Sequence, residues 1–296
     1  MSYPAVWADP IDHVRSLAEA DTASATIDEL KDLARPLVLG LNCKAAVIAA
    51  GTSLFRARIA SCQPFQFINE VGYPRNQVRL QRVNRPGSPM FYSCGAPFAP
   101  VYELDPSVGT LFVLSHWATR RPLRVIAIGF QDSVLGRPPF ARVHSFLSVH
   151  PPTPQVAPWV LELGKVIHLV HHCLSQWFSE RVSGSEEHRY KRTVAIAELL
   201  VETQVPDLRD GTPALSTRVW DGVLYPSVPA LASSFNIALF PEVADSSLDL
   251  VTATHLEVIK REIGTVGLTY DAKILFVANA PFPDGRLDWH SEGKAE

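Results

Sequence analysis

From Trp159 to Val182 the chain reads WVLELGKVIHLVHHCLSQWFSERV, with Val160, Leu163, Ile167, Val170, Leu174 and Trp177 recurring at helical spacing. A helix with so long an apolar stripe has to bury it against other elements. Ser183-Gly184 marks its end, and HRYKRTVAIAELLVE predicts a second helix over about 188–202. The sequence on either side of this pair is strand-like. Upstream, SLFRARIA alternates, SPMFYS is a short strand behind a Pro-Gly turn, and TLFVLSHW and LRVIAIGF read as a strand pair joined by a turn at ATRRP. Downstream, GVLYPSV and FNIALFP are strand candidates, followed after an acidic turn by HLEVIKREI and KILFVAN. Strands, two helices, then strands is the order of an α+β domain.

The leading segment is different. In TIDELKDLAR, residues 26–35, Thr26 and Glu29 form a capping box, and Ile27, Leu30, Leu33 and Ala34 line one face of a helix that Pro36 is expected to end or kink. Residues 1–50 are therefore expected to form a helical N-terminal extension and 51–296 the main domain, with the proline-rich stretch 131–158 as an irregular connection. No internal repeat is present.

Charge and cysteine usage narrow the function classes. A net charge of −3 argues against a general nucleic-acid binder, which needs a broad excess of Lys and Arg. Cys43, Cys62, Cys94 and Cys173 form no C-x-x-C pair and no zinc-ligand spacing, as expected of reduced thiols in a cytoplasmic protein. The start, MSYPAVWADPIDHVRS, lacks a signal peptide's basic region and apolar core, and AAVIAAG is too short to span a bilayer.

Against this background, residues 56–85 contain six arginines (56, 58, 75, 79, 82 and 85), no lysine and a single acid, Glu70. Arginine without lysine suits planar, bidentate recognition of phosphate or carboxylate, although a solvated cationic face reads the same way. His168, His171 and His172 lie on the long helix, with 168 and 172 at i, i+4. No Glu lies between them and no third ligand is evident, so a His-rich helix flank is the better reading and no metal is expected. No G-x-S-x-G elbow, P-loop or G-x-G-x-x-G fingerprint occurs.

Arg56 in SLFRARIA, Arg82 in RVNRPG, Tyr92 and Glu103 in SPMFYSCGAPFAPVYEL, and Ser227 in GVLYPSV remain. Each alone reads as an ordinary surface, core or turn residue. In order, however, LFRAR (54–58), RVNRPGSPMFYS and VYEL (82–104), and HRYKRTVAIAELL followed by WDGVLYPSV and FNIALFPE resemble the RES family, named for a shared Arg, Glu and Ser. The resemblance covers roughly 51–260. It departs from the family pattern at Gln81 and Val83, which flank the arginine of Arg-x-Asn, and at Ala57.

The resemblance implies an ADP-ribosyltransferase-like split β-core with flanking helices that holds NAD in a cleft. It implies cleavage of the nicotinamide–ribose bond by hydrolysis or phosphorolysis, in the bacterial setting of a toxin–antitoxin pair whose antitoxin carries an Xre-like domain. Protein ADP-ribosylation at the same site and a catalytically silent binding module are the alternatives, and a homodimer is left open as its assembly. Carried over residue by residue, Glu103 would stabilise the cationic ribose of an oxocarbenium-like transition state. Arg56 and Arg82 would hold the diphosphate, Tyr92 would stack on nicotinamide or ribose, and Ser227 would hydrogen-bond a carboxamide or hydroxyl.

Overall fold

A computed structural model describes residues 10–39, 44–76, 78–130, 140–144, 158–203, 220–227, 234–264 and 267–291. Along the chain these form α1 (Pro10–Glu19), α2 (Ile27–Leu39), β1 (Lys44–Ile48), β2 (Ser53–Ile59), α3 (Ile68–Val71), β3 (Phe91–Cys94), α4 (Ala99–Leu104), β4 (Leu111–Thr119), β5 (Leu123–Ala127) and β6 (Phe140–His144). Then follow α5 (Pro158–Ser179), a 3₁₀ turn (Gly184–Arg189), α6 (Tyr190–Thr203), β7 (Gly222–Pro226), β8 (Phe235–Leu239), α7 (Pro241–Ser247), β9 (Leu248–Gly264), β10 (Gly267–Ala278) and β11 (Trp289–Ser291). The mixture is compatible with the expected α+β class. The expected proline-rich connection lies almost wholly outside the described residues, as does Cys43. No helix among the described residues is long and apolar enough to cross a membrane.

Two compact units divide the chain discontinuously. The first gathers residues 1–48, 76–88 and 124–226. In it α2 packs on α6, and the strand order is β7-β5-β1-β6, with β5 and β7 parallel and β1 and β6 antiparallel. The capping box forms as its spacing requires. Glu29 N–H donates to Thr26 Oγ1 (3.2 Å) and the Thr26 N–H to Glu29 Oε2 (2.7 Å). Pro36 does not end α2, which runs on to Leu39 because Leu37 and Val38 are buried and their packing outweighs one lost backbone bond. On α5 the buried stripe is Val170, Leu174 and Phe178, so Phe178 rather than Trp177 faces the core. His168 and His172 are exposed, and no metal-binding cluster occurs among the described residues.

The second unit gathers 49–75, 89–123 and 227–296. Its strands run β11-β10-β9-β4-β2-β3-β8, and the neighbours with a described register are antiparallel. β4 takes β2 and β9 as partners, while β5 takes β7 and β1. The strand pair expected across ATRRP therefore does not form. Each strand satisfies its backbone groups better with non-local partners than across that five-residue link.

Alternation and register fix which residues share a face of this sheet. Phe55 pairs with Cys94, Cys94 with Asn236, and Tyr92 with Ala238, so Phe55, Tyr92, Cys94 and Asn236 point to one side. Arg56, Phe91 and Ser93 point to the other. α4 packs on the Tyr92 side, where its Val101 joins Phe112 and Val258 in a buried cluster.

Candidate active site

Glu103 is carried by the short helix α4, which Pro100 helps to start and which ends at Asp105 in the left-handed conformation (φ 46°). The apolar side of that turn, Ala99, Pro100 and Val101, is buried, which leaves Glu103 exposed at its rim. Two neutral donors converge on its Oε1: the Ser227 hydroxyl at 3.0 Å and the Asn236 amide at 2.8 Å. Both donors belong to buried residues, so their own positions are fixed by packing. The Ser227 N–H also donates to the Ser234 carbonyl (3.4 Å), which ties the serine to the start of β8. No donor among the described residues is bonded to Oε2 of Glu103. The result is a solvent-accessible carboxylate anchored through one oxygen by two neutral donors.

The network continues inward. Asn236 Oδ1 accepts from the Cys94 thiol at 2.9 Å. Burial, with the nearby Glu103 charge adding to it, pushes the Cys94 thiol well above its usual range. The thiol is thus a proton donor that orients the amide, and its neutral state argues against a thiolate nucleophile. Gly95 follows it where a side chain has no room: a Cβ there would lie 2.2 Å from the Phe235 ring, and the Gly95 N–H bonds the Phe235 carbonyl at 3.0 Å. This close approach clamps the ends of β3 and β8 that carry Cys94 and Asn236.

The structure brings Glu103 and Ser227 into contact and sets Tyr92, half-buried, on the same face of the sheet. It does not bring Arg56 there. Arg56 projects from the opposite face, where its Nε donates to the Gly72 carbonyl (3.1 Å), its Nη1 to the Tyr92 carbonyl (2.7 Å), and its guanidinium lies 5.6 Å from the Phe91 ring centre. Burial, helped by neighbouring Arg58, pulls its pKa down to about 9. Arg58 is used similarly, donating to the Glu70 and Gly72 carbonyls above the Phe65 ring.

Arg82 belongs to the first unit. Its guanidinium donates to the Trp177 (3.3 Å) and Glu180 (2.8 Å) carbonyls at the end of α5 and lies over Tyr190 and Tyr225. It thereby caps carbonyls that a helix end leaves unpaired. Arg85 joins Asp28 and Glu198 in an ion-pair cluster that Lys31 extends. Much of the arginine-only run is thus engaged with protein groups.

Sequence reasoning did not single out Asn236 or Cys94. The available signal was an amide in the otherwise apolar strand FNIALF, since a buried amide requires partners. Comparison with protein-family models, with curated proteins and with solved structures finds no match to this chain.

Proposed function

We propose that this protein cleaves the N-glycosidic bond between nicotinamide and ribose in NAD, within an ADP-ribosyltransferase-like fold, as the toxin of a toxin–antitoxin pair. One observation carries the reading: an exposed carboxylate, Glu103, anchored through one oxygen by Ser227 and Asn236 on the face that also bears Tyr92. As the bond breaks, nicotinamide leaves with the bonding electron pair and positive charge develops on C1′ and the ring oxygen of the ribose. A fixed carboxylate beside that carbon stabilises the charge without having to reorganise. Water or phosphate then adds to C1′, giving ADP-ribose or its 1″-phosphate. Both anchoring donors are neutral, so they hold Glu103 without cancelling its charge.

The engagement of Arg56 and Arg82 with backbone carbonyls favours a second reading, a module that keeps the site architecture without turnover. Nicotinamide release separates the two. Purified protein incubated with NAD, with and without phosphate, should release nicotinamide, and Glu103→Ala should not. Label retained on a macromolecule would instead mark ADP-ribose transfer. Absence of release under every condition, or full release by Glu103→Ala, overturns the assignment.

A further inference from the structure

On the Arg56 side of the second unit's sheet lies a cavity of about 200 Å³ that the chemistry above does not use. Its floor is aromatic. The buried Phe91 and Trp117 rings meet edge to face with centres 5.2 Å apart. Arg56 locks this floor and one wall by packing its guanidinium on Phe91 and bonding the carbonyl of Gly72, which also lines the cavity. The space is held open by groups that are themselves fixed, as small-molecule sites usually are.

Two side chains of opposite charge, Arg75 and Asp245, line the same cavity, and Tyr73 positions both. The Arg75 guanidinium lies 5.6 Å from the centre of the Tyr73 ring, and the Tyr73 hydroxyl donates to Asp245 Oδ2 at 2.8 Å. The two charges form no ion pair with each other, and Arg75 has no carboxylate partner among the described residues. Arg120, also on the lining, is already neutralised by Asp249 through Nε (2.8 Å) and Nη2 (2.5 Å). Stacking on Tyr73 uses the face of the Arg75 guanidinium and leaves its edge N–H groups able to grip a carboxylate. Asp245 keeps acceptor capacity beyond the one bond from Tyr73.

We propose that this cavity binds a small aromatic zwitterion, an α-amino acid whose ring lies against Trp117 and Phe91, whose carboxylate pairs with Arg75 and whose ammonium pairs with Asp245. A simple anion would meet Asp245 and a simple cation would meet Arg75, so only a ligand carrying both charges is complementary to the pair. Drug-sized ligands occupy pockets of roughly 300 Å³ or more, so the cavity fits one ring with its amino-acid head and is too small for a dinucleotide. The proposal does not depend on the chemistry assigned to Glu103.

The test uses the full chain and the indole N–H resonance of Trp117, identified by its loss in Trp117→Phe. That proton is held by a 2.8 Å bond to Ser115 Oγ. L-Phenylalanine should shift it saturably with a Kd on the order of 1 mM, and 3-phenylpropionate and phenethylamine should bind about tenfold more weakly. Arg75→Gln should weaken phenylalanine and phenylpropionate but not phenethylamine. Asp245→Asn, which still offers Tyr73 an acceptor, should weaken phenylalanine and phenethylamine but not phenylpropionate. Such opposite selectivities cannot arise from misfolding, and both residues are exposed. Equal binding of the three ligands, no Trp117 shift with phenylalanine at tens of millimolar, or variants that lose all three ligands alike would overturn the proposal.

Discussion

The two sides of strand Phe91–Cys94 use polar groups in opposite ways. On one side Glu103 is exposed, and the protein spends two buried donors, Ser227 and Asn236, on one of its oxygens. On the other Arg56 is half-buried, and its Nε and Nη1 donate to the carbonyls of Gly72 and Tyr92. The carboxylate keeps its exposure while it is held in place. The arginine is arranged to hold the protein together. A charged residue's role follows from what already satisfies it, which the residue type alone does not reveal.

Four substitutions break or sharpen that contrast. The largest effect is expected from Glu103→Gln, which should lower nicotinamide release by about 10²–10³, the scale of losing one preorganised electrostatic stabiliser. Its urea midpoint should move little, because exposed positions usually stay within about ±0.5 kcal/mol. Arg56→Ala should do the reverse. By depriving buried carbonyls of a charged donor it should cost roughly 2–4 kcal/mol in urea unfolding. If it instead unfolded like the wild type but bound NAD more weakly, Arg56 would be a ligand-binding group and the contrast would collapse.

Asn236→Asp sharpens the carboxylate side. It replaces a donor to Glu103 Oε1 by a like charge, so nicotinamide release at neutral pH should fall by about tenfold or more. Release at the wild-type rate would show that Asn236 does not position Glu103. Cys94 gives the smallest and most specific effect. Its thiol ionises at higher pH in the folded than in the unfolded chain. Above the ordinary thiol pKa of about 8.5 the unfolded chain binds fewer protons, so stability falls as pH rises, by at most about 1.4 kcal/mol per unit until the folded thiol ionises. Chemical denaturation across that range should show a steeper fall in the wild type than in Cys94→Ser, which keeps the contribution of the likewise raised Cys173 thiol.

Several elements were legible because their cause is local. The Thr26–Glu29 box needs residues three apart, the alternation in SLFRARI needs seven, and the stripe on α5 repeats every third or fourth residue. Pro36 shows the limit, since its local penalty was overridden by the burial of Leu37 and Val38. The ATRRP link shows it too, because neither flanking strand takes the other as its partner.

What the sequence by itself determined, then, is three helices (α2, α5 and α6), most strand segments and the presence of Glu103, Ser227, Tyr92 and the arginines as candidates, but not the short helix α4 that carries Glu103. Only the tertiary structure decided which of them meet. Glu103 reaches Ser227 across 124 positions and Asn236 across 133, while Arg56, one place after Phe55, whose register partner is Cys94, is turned to the other face and lies over Phe91. The physical reason is that a strand's side chains alternate with a period of two, so pairing register decides which face each one serves. Register is set by partners far away in the chain, and so is the identity of the groups that satisfy each charge.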